Sequence, residues 1–232
     1  MIIGGFQKTS LLDYPGKIAA IIWTVGCNFR CPFCYNPQLV NGTVDPIPTE
    51  EILGFLDTRI GKLDAVSITG GEPLMHDDID SFIACIKNKG FLVKVDTNGS
   101  YPDRLRDLLN QHLLDYVSMD VKASKEKYDA VVGVAVDRDA IDTSIQLIQE
   151  QAPDYEFKTT VIPSFHTKED IKQIGRWLNG STRFFLQQFR TTTPLLSSDL
   201  ASMIPYSKEE LEEMQDTITS FFKHCAIRGI DS

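Results

Sequence analysis

Three of the five cysteines, Cys27, Cys31 and Cys34, lie within the segment Gly26-Cys27-Asn28-Phe29-Arg30-Cys31-Pro32-Phe33-Cys34-Tyr35-Asn36. Thiolates at C-x3-C-x2-C spacing on so short a loop can hold three corners of an iron–sulfur cube, because soft thiolates select such clusters. The loop has no fourth cysteine, so one iron stays open to chemistry, by the logic of a catalytic metal site that keeps a vacant position. Two other uses of the same thiols remain: a structural zinc completed by His76, and a plain electron-transfer cluster. The second normally takes four cysteines, and Cys85 and Cys225 are poorly placed to supply one. Cys85, in Ile79-Asp80-Ser81-Phe82-Ile83-Ala84-Cys85-Ile86, reads as a small core residue on a helix, and Cys225 reads similarly. An odd cysteine count without an export signal points to a reducing, cytoplasmic setting rather than a disulfide framework.

Three more segments carry groups suited to a site. Gly70-Gly71-Glu72-Pro73 combines close backbone approach with a carboxylate. Asp96-Thr97-Asn98-Gly99 and Asp120-Val121-Lys122 bring hard oxygen donors and an ammonium. Asp96 and Asp120 are suited to sharing a monovalent or divalent cation.

These segments need elements to position them. Apolar, β-branched runs predict strands at Ile18–Thr24, Ala65–Thr69, Leu92–Thr97, Tyr116–Lys122, Phe157–Ile162 and Phe184–Gln188. Helical periodicity predicts helices at Glu50–Ile60, Asp77–Lys89, Pro102–Leu109, Arg138–Gln151, Lys168–Leu178 and Lys208–Lys223. Ser207 with Glu210 forms a capping box, Thr167 with Asp170 resembles one, and Pro102 suits a first turn. Six strand–helix units in alternation imply a parallel sheet with right-handed crossovers. They are too few for a full eight-unit barrel, and an open partial (β/α)6 barrel and a doubly wound sheet both fit. Ligands gather at the C-terminal ends of such strands, and all four chemistry-bearing segments follow strands. His166, Gln187, Gln188 and Arg190 fall on the same rim, with His166 a candidate ligand contact and the other three facing a partner. The long Thr- and Ser-rich segment from Phe189 to Tyr206 reads as a functional or mobile loop, and His112 as an exposed helix end.

The 232 residues carry a formal charge of −9, with 42% hydrophobic and 24% charged residues. That is ordinary globular usage, and one domain over residues 1–232 is expected. An acidic surface repels phosphate backbones, so nucleic acid is not an expected partner. No apolar run approaches the roughly 18 residues of a membrane span, so no membrane association is expected.

The C-x3-C-x-Φ-C pattern, with Phe33 as the aromatic Φ, together with Gly70-Gly71-Glu72-Pro73, resembles the radical S-adenosylmethionine (SAM) superfamily. Thr9-Ser10-Leu11-Leu12-Asp13-Tyr14-Pro15-Gly16-Lys17, the cysteine loop through Pro37, Asp96-Thr97-Asn98-Gly99 and Asp120-Val121-Lys122 are similar to glycyl-radical-enzyme activating proteins. Within these they resemble most the type acting on anaerobic ribonucleoside-triphosphate reductase. The resemblance is clearest up to about Ile162. It implies the radical SAM fold, an open partial (β/α)6 TIM-like barrel with a parallel sheet, one 4Fe-4S cluster on Cys27, Cys31 and Cys34, and S-adenosyl-L-methionine chelated by the unique iron. One electron would break the sulfonium bond, and the resulting 5′-deoxyadenosyl radical would take a hydrogen atom from a glycine Cα of a glycyl radical enzyme. A low-potential donor such as flavodoxin or ferredoxin would supply the electron. The backbone of Gly70 and Gly71 and the carboxylate of Glu72 would accept from the methionine ammonium, and Phe33 would stack on adenine. Asp96, Thr97 and Asn98 would lie near the ribose and carboxylate, with Lys122 pairing the carboxylate or an aspartate. A small-molecule radical SAM enzyme resembling 7-carboxy-7-deazaguanine synthase shares the cluster and Gly-Gly-Glu-Pro motifs and is the alternative. A non-catalytic metal-binding module is the third.

Overall fold

The computed structural model describes residues 1–230. One sheet of eight strands runs in chain order: β1 (Ile3–Ser10), β2 (Ala19–Thr24), β3 (Ala65–Gly70), β4 (Leu92–Thr97), β5 (Tyr116–Asp120), β6 (Tyr155–Val161), β7 (Arg183–Gln188) and β8 (His224–Arg228). Strands β2 to β8 are parallel, and β1 alone is antiparallel, paired with β2. Helices α1 (Pro37–Asn41), α2 (Thr49–Asp57), α3 (Ile79–Asn88), α4 (Pro102–Asn110), α5 (Tyr128–Val132), α6 (Arg138–Gln151), α7 (Lys168–Trp177) and α8 (Lys208–Asp216) connect them. This is the open partial barrel that the family resemblance implies, rather than the doubly wound sheet the alternation also allows, with β1 and β8 as its edges. The six expected strands are all present.

The structure corrects the expected sheet in two places. It has eight strands rather than six, and it is mixed rather than wholly parallel. β1 holds two glycines and four polar residues, so it carries no strand signal of its own, and its pairing with β2 stabilises it. β8 is short and half-exposed. The expected helix to Lys223 stops at Asp216, because residues 219–221 form a separate turn that leads the chain into β8.

Strand parity sets the functional layout. On one face Val66, Ile68, Val93, Val95, Val117, Met119, Phe157, Phe184 and Leu186 are fully buried. They form one cluster with helix residues such as Ile83, Leu105, Leu108, Ile145 and Ile174. Each such side chain contributes roughly 1.5–3 kcal/mol on burial, so this layer holds the fold. The alternate positions are mostly polar, among them Ser67, Thr69, Lys94, Asp96, Ser118, Asp120, Glu156, Lys158, Thr160 and Gln187. They face the concave side. Its floor is closed by Tyr14 packed with Ala19, Ala65 and Tyr116, the last three being the first residues of their strands. The Tyr14 and Tyr116 rings are 5.7 Å apart. With the floor plugged, the concave side opens where the strands end.

Helix starts follow their caps. Thr167 and Asp170 make reciprocal capping bonds at α7, as do Ser207 and Glu210 at α8. Asp137 accepts from two backbone N–H groups at the start of α6.

Candidate active site

Cys27, Cys31 and Cys34 all line one cavity of about 210 Å³ at the strand ends. Its other walls include Gly70 and Gly71 at the end of β3, Asp96, Thr97 and Asn98 at the end of β4, and Asp120 and Lys122 at the end of β5. Phe33 also lines it, with its ring 6.1 Å from that of Phe165. The spacing argument thus brings four sequence-distant segments to one place. Glu72 and Pro73 are not among the lining residues, nor is His76. No group of three or more His, Cys, Asp or Glu suited to a metal ion is gathered among the described residues.

The cysteine loop is held from several directions. Gly26 N–H donates to Leu39 O at 2.9 Å, Arg30 N–H to Val132 O at 2.9 Å, and Glu72 N–H to Gly26 O at 2.9 Å. Leu196 N–H reaches Cys34 O at 3.1 Å and Ser197 N–H reaches Pro32 O at 2.8 Å. The Phe189–Tyr206 segment therefore braces the cysteine loop from outside. Arg30 turns back on the loop, donating to Phe29 O at 2.8 Å and to Cys27 O. Gly71 touches the loop directly: a Cβ there would sit 1.8 Å from Gly26 O. Gly70, at φ +122°, leaves a Cβ only 2.3 Å from Thr24 N. These two positions require glycine for close approach.

The donor set suits an iron–sulfur cluster: three thiols on one braced loop, facing a shared cavity. Burial pushes the Cys27 thiol up to about 11 and the Cys31 thiol up to about 12. Metal binding requires thiolates, so assembly there must release protons. Backbone N–H groups of Phe29 and Asn36 point at the sulfurs of Cys27 and Cys34, each at 3.4 Å. Asn98 Nδ2 stands 4.0 Å from Cys27 Sγ and donates to Asn28 Oδ1 at 2.9 Å, tying the end of β4 to the cysteine loop.

Glu72 is fully buried, and its carboxylate is engaged within the protein. Oε1 accepts from Leu74 N–H at 3.0 Å and Thr97 Oγ1 at 2.8 Å, and Oε2 accepts from Asn98 N–H at 2.6 Å. Burial pushes it up to about 7, against the pull of those three donors. Its visible work is to lock the β3 end to the β4 end.

Below the cysteines lies a row of charges. Asp96 pairs with Lys94 at 2.5 Å and Lys158 at 2.6 Å, and Asp120 pairs with Lys122 at 3.1 Å and Lys158 at 3.7 Å. Burial raises Asp96, but Lys158 and Lys94 outweigh it and hold the carboxyl well below the usual range. Burial lowers Lys122, yet Asp120 keeps it above the usual lysine value. Lys158 escaped the sequence reasoning. The available signal was Glu156 and Lys158 alternating with Tyr155 and Phe157, the mark of a strand with a polar inward face.

Other expectations fare differently. His166 is on the rim in sequence but fully buried. Its Nδ1 accepts from Ile162 N–H at 3.0 Å, which makes Nε2 the donor to Lys122 O at 2.8 Å. It steadies the backbone of Lys122 and does not line the cavity. Cys85 is exposed, not a core residue, because Ile83 and Ile86 take the buried face of α3. Cys225 is half-buried and packs against the core. His112 is exposed, as expected.

A second cavity of about 500 Å³ adjoins the first and shares Tyr35, Thr69, Asp96, Lys158 and Gln187 with it. It reaches Leu12, Asp13 and Pro15 after β1 and Arg228 and Gly229 at the end of β8, so it spans the two sheet edges. Gln188 and Arg190 also line it. No helix among the described residues is long and apolar enough to cross a membrane.

Comparison with known proteins places this geometry. Residues 21–178 match the family model for the radical SAM superfamily. The chain is 32% identical to a putative glycyl-radical enzyme activating enzyme of Methanocaldococcus jannaschii, over 99% of this chain and 97% of that protein. A second protein of that description from the same organism is 28% identical, over 77% of this chain and 69% of its own length. Among solved structures, Streptococcus suis SuiB bound to S-adenosylmethionine superposes with a TM-score of 0.71 at 16% identity, covering 90% of this chain and 50% of SuiB. At that identity the likeness is one of fold.

Proposed function

The chain belongs to the radical SAM superfamily, and from that premise we propose that it cleaves S-adenosylmethionine reductively and installs the radical of a glycyl radical enzyme. One observation carries the reading: the three cysteines of C-x3-C-x2-C line a single cavity with strand-end groups from β3, β4 and β5. We assign Cys27, Cys31 and Cys34 as ligands of one 4Fe-4S cluster. When bound, the cluster supplies the electron that splits the sulfonium of SAM into methionine and a 5′-deoxyadenosyl radical.

The chain's own residues do the rest. The Gly70–Gly71 backbone offers close contact for the methionine ammonium, while Glu72 holds that backbone against Asn98. Lys122 and its neighbours face the carboxylate side, with Thr97 and Asn98 toward the ribose. Phe33 offers an apolar face for adenine. The brace from Leu196 and Ser197 holds the Pro32 and Cys34 carbonyls and so fixes the loop that carries the thiols.

The partner reading rests on the two relatives named as glycyl-radical enzyme activating enzymes. The larger cavity, opening between the sheet edges, supports entry of an extended protein segment toward the cysteines. Among such partners we assign anaerobic ribonucleoside-triphosphate reductase, on the Thr9–Lys17 and Gly26–Pro37 wording. Flavodoxin or ferredoxin is the assigned donor, and residues 1–232 are assigned to one domain.

The test is anaerobic reconstitution with iron and sulfide, then SAM and dithionite. The expected product is 5′-deoxyadenosine, abolished in the Cys27→Ala, Cys31→Ala, Cys34→Ala triple variant while its circular dichroism is kept. With the anaerobic reductase added, electron paramagnetic resonance should show a glycyl radical. Cleavage without any such signal leaves the SAM chemistry standing and overturns the partner.

A further inference from the structure

Three lysines and two aspartates form one continuous row beneath the cysteine loop. Lys94 and Asp96 lie two apart on β4, Asp120 ends β5, and Lys158 faces Asp120 in register on β6. Each of the four carboxylate oxygens faces an ammonium, and Lys158 serves two of them, one from each aspartate. Asp96 Oδ2 meets Lys94 at 2.5 Å and Asp96 Oδ1 meets Lys158 at 2.6 Å. Asp120 Oδ2 meets Lys158 at 3.7 Å and Asp120 Oδ1 meets Lys122 at 3.1 Å. All five side chains are at least four-fifths shielded from solvent.

We propose that the Lys158 ammonium is the resident cation between Asp96 and Asp120, so that this site works without an inorganic cation there. The inference deepens the proposed SAM-cleaving reading and rests on it for the site's purpose. Two aspartates at neighbouring strand ends invite a hard cation, which takes oxygen ligands. Here the oxygens already face tethered ammonium groups. An entering ion must displace Lys158 and then stand beside Lys94 and Lys122, which repel it. Three positive charges against two negative leave a surplus positive charge, so the row suits a ligand carboxylate better than a metal ion.

Lys158 acts through the carboxylates it joins. It lines both cavities, so it also stands where the partner-facing space meets the cysteine-lined one. Burial by itself lowers Lys158, but Asp120 and Asp96 reverse that and hold it above the usual lysine value, so it remains charged. It is a positioning residue: without it the facing carboxylates repel each other and turn away.

The test compares wild type, Lys158→Ala and the closer-shaped Lys158→Met in potassium, sodium or choline chloride at constant ionic strength. The apo proteins are followed by thermal unfolding and the reconstituted ones by 5′-deoxyadenosine formation. Wild type should melt and cleave SAM identically in all three salts. Both variants should bind SAM more weakly, on the order of tenfold in KM. Potassium, or methylammonium in the alanine variant, should restore KM and raise the melting temperature above that in choline. Lys158→Arg should stay salt-independent. A wild type that gains several-fold in cleavage with potassium or sodium overturns the proposal, as do variants that neither weaken nor respond to cations. The melting arm uses no SAM, so it reads the cation site even if the proposed reaction is wrong. Failure of every protein to cleave SAM counts against the reaction alone.

Discussion

Glu72 Oε2 accepts the backbone N–H of Asn98 at 2.6 Å, joining the loop after β3 to the end of β4 from a fully buried position. That bond makes the Gly-Gly-Glu-Pro and Asp-Thr-Asn-Gly segments one rigid unit. It also gives Glu72 a pH signature. Burial raises its carboxyl from the ordinary 4.5 to about 7, so the folded protein holds this proton more tightly than the unfolded chain. The stability it contributes is complete below 4.5 and is lost as pH rises to about 7. Relative to Glu72→Gln, wild type should therefore lose up to about 3 kcal/mol across that window, read by urea unfolding.

Gly71→Ala places a Cβ against the Gly26 carbonyl, where both sides are backbone and neither yields cheaply. Overpacking of this kind costs about 1–3 kcal/mol. The strain falls on the residue before Cys27, so iron and sulfide content after reconstitution should drop well below wild type. Circular dichroism should remain native, since the apolar layer under the helices is untouched.

Arg228 ties the edge strand β8 to β6 through a two-pronged contact with Glu156, at 2.8 and 2.7 Å. Burial raises Glu156, but Arg228 outweighs it and lowers the carboxyl below 4.5. Arg228→Met leaves a buried carboxylate with only Tyr116 and Ser118 as donors. Discounted for the partial exposure of Arg228, the loss should be about 2 kcal/mol at neutral pH. The pair's contribution is present above 4.5 and fades as pH falls and Glu156 protonates, so the difference between variant and wild type should shrink in acid.

His166→Ala should leave Ile162 N–H and Lys122 C=O without partners in a dry site, costing about 3 kcal/mol. Burial lowers the imidazole from 6.5, so its contribution is complete above that pH and is lost as pH falls below it. This slope is opposite to that of Glu72, and each is isolated by subtracting its own variant. Because Lys122 shifts with its carbonyl, KM for SAM should rise in His166→Ala while the iron content stays that of wild type.

The parts of this protein legible in the sequence are those written locally. Cys27, Cys31 and Cys34 announce themselves by spacing, and the strand runs from Ala19 to Gln188 by their apolar β-branched content. The order of strand and helix places every chemistry-bearing segment on one rim. β1 and β8 were not legible, because a strand with two glycines and a five-residue strand with no buried residue exist through their neighbours rather than through their own pattern.

Sequence alone determined the thiol loop, the alternation that builds a parallel sheet, and the rim on which Asp96, Asp120 and Lys122 must end. Tertiary structure decided which charge meets which. Lys158 lies 62 residues from Asp96, and only the order and register of β4, β5 and β6 bring its ammonium between two carboxylates. It also decided that Glu72 and His166 spend their hydrogen bonds inside the protein. Local pattern sets which way a side chain faces, but the partner it finds there depends on strand register, and register is settled by packing across the whole sheet.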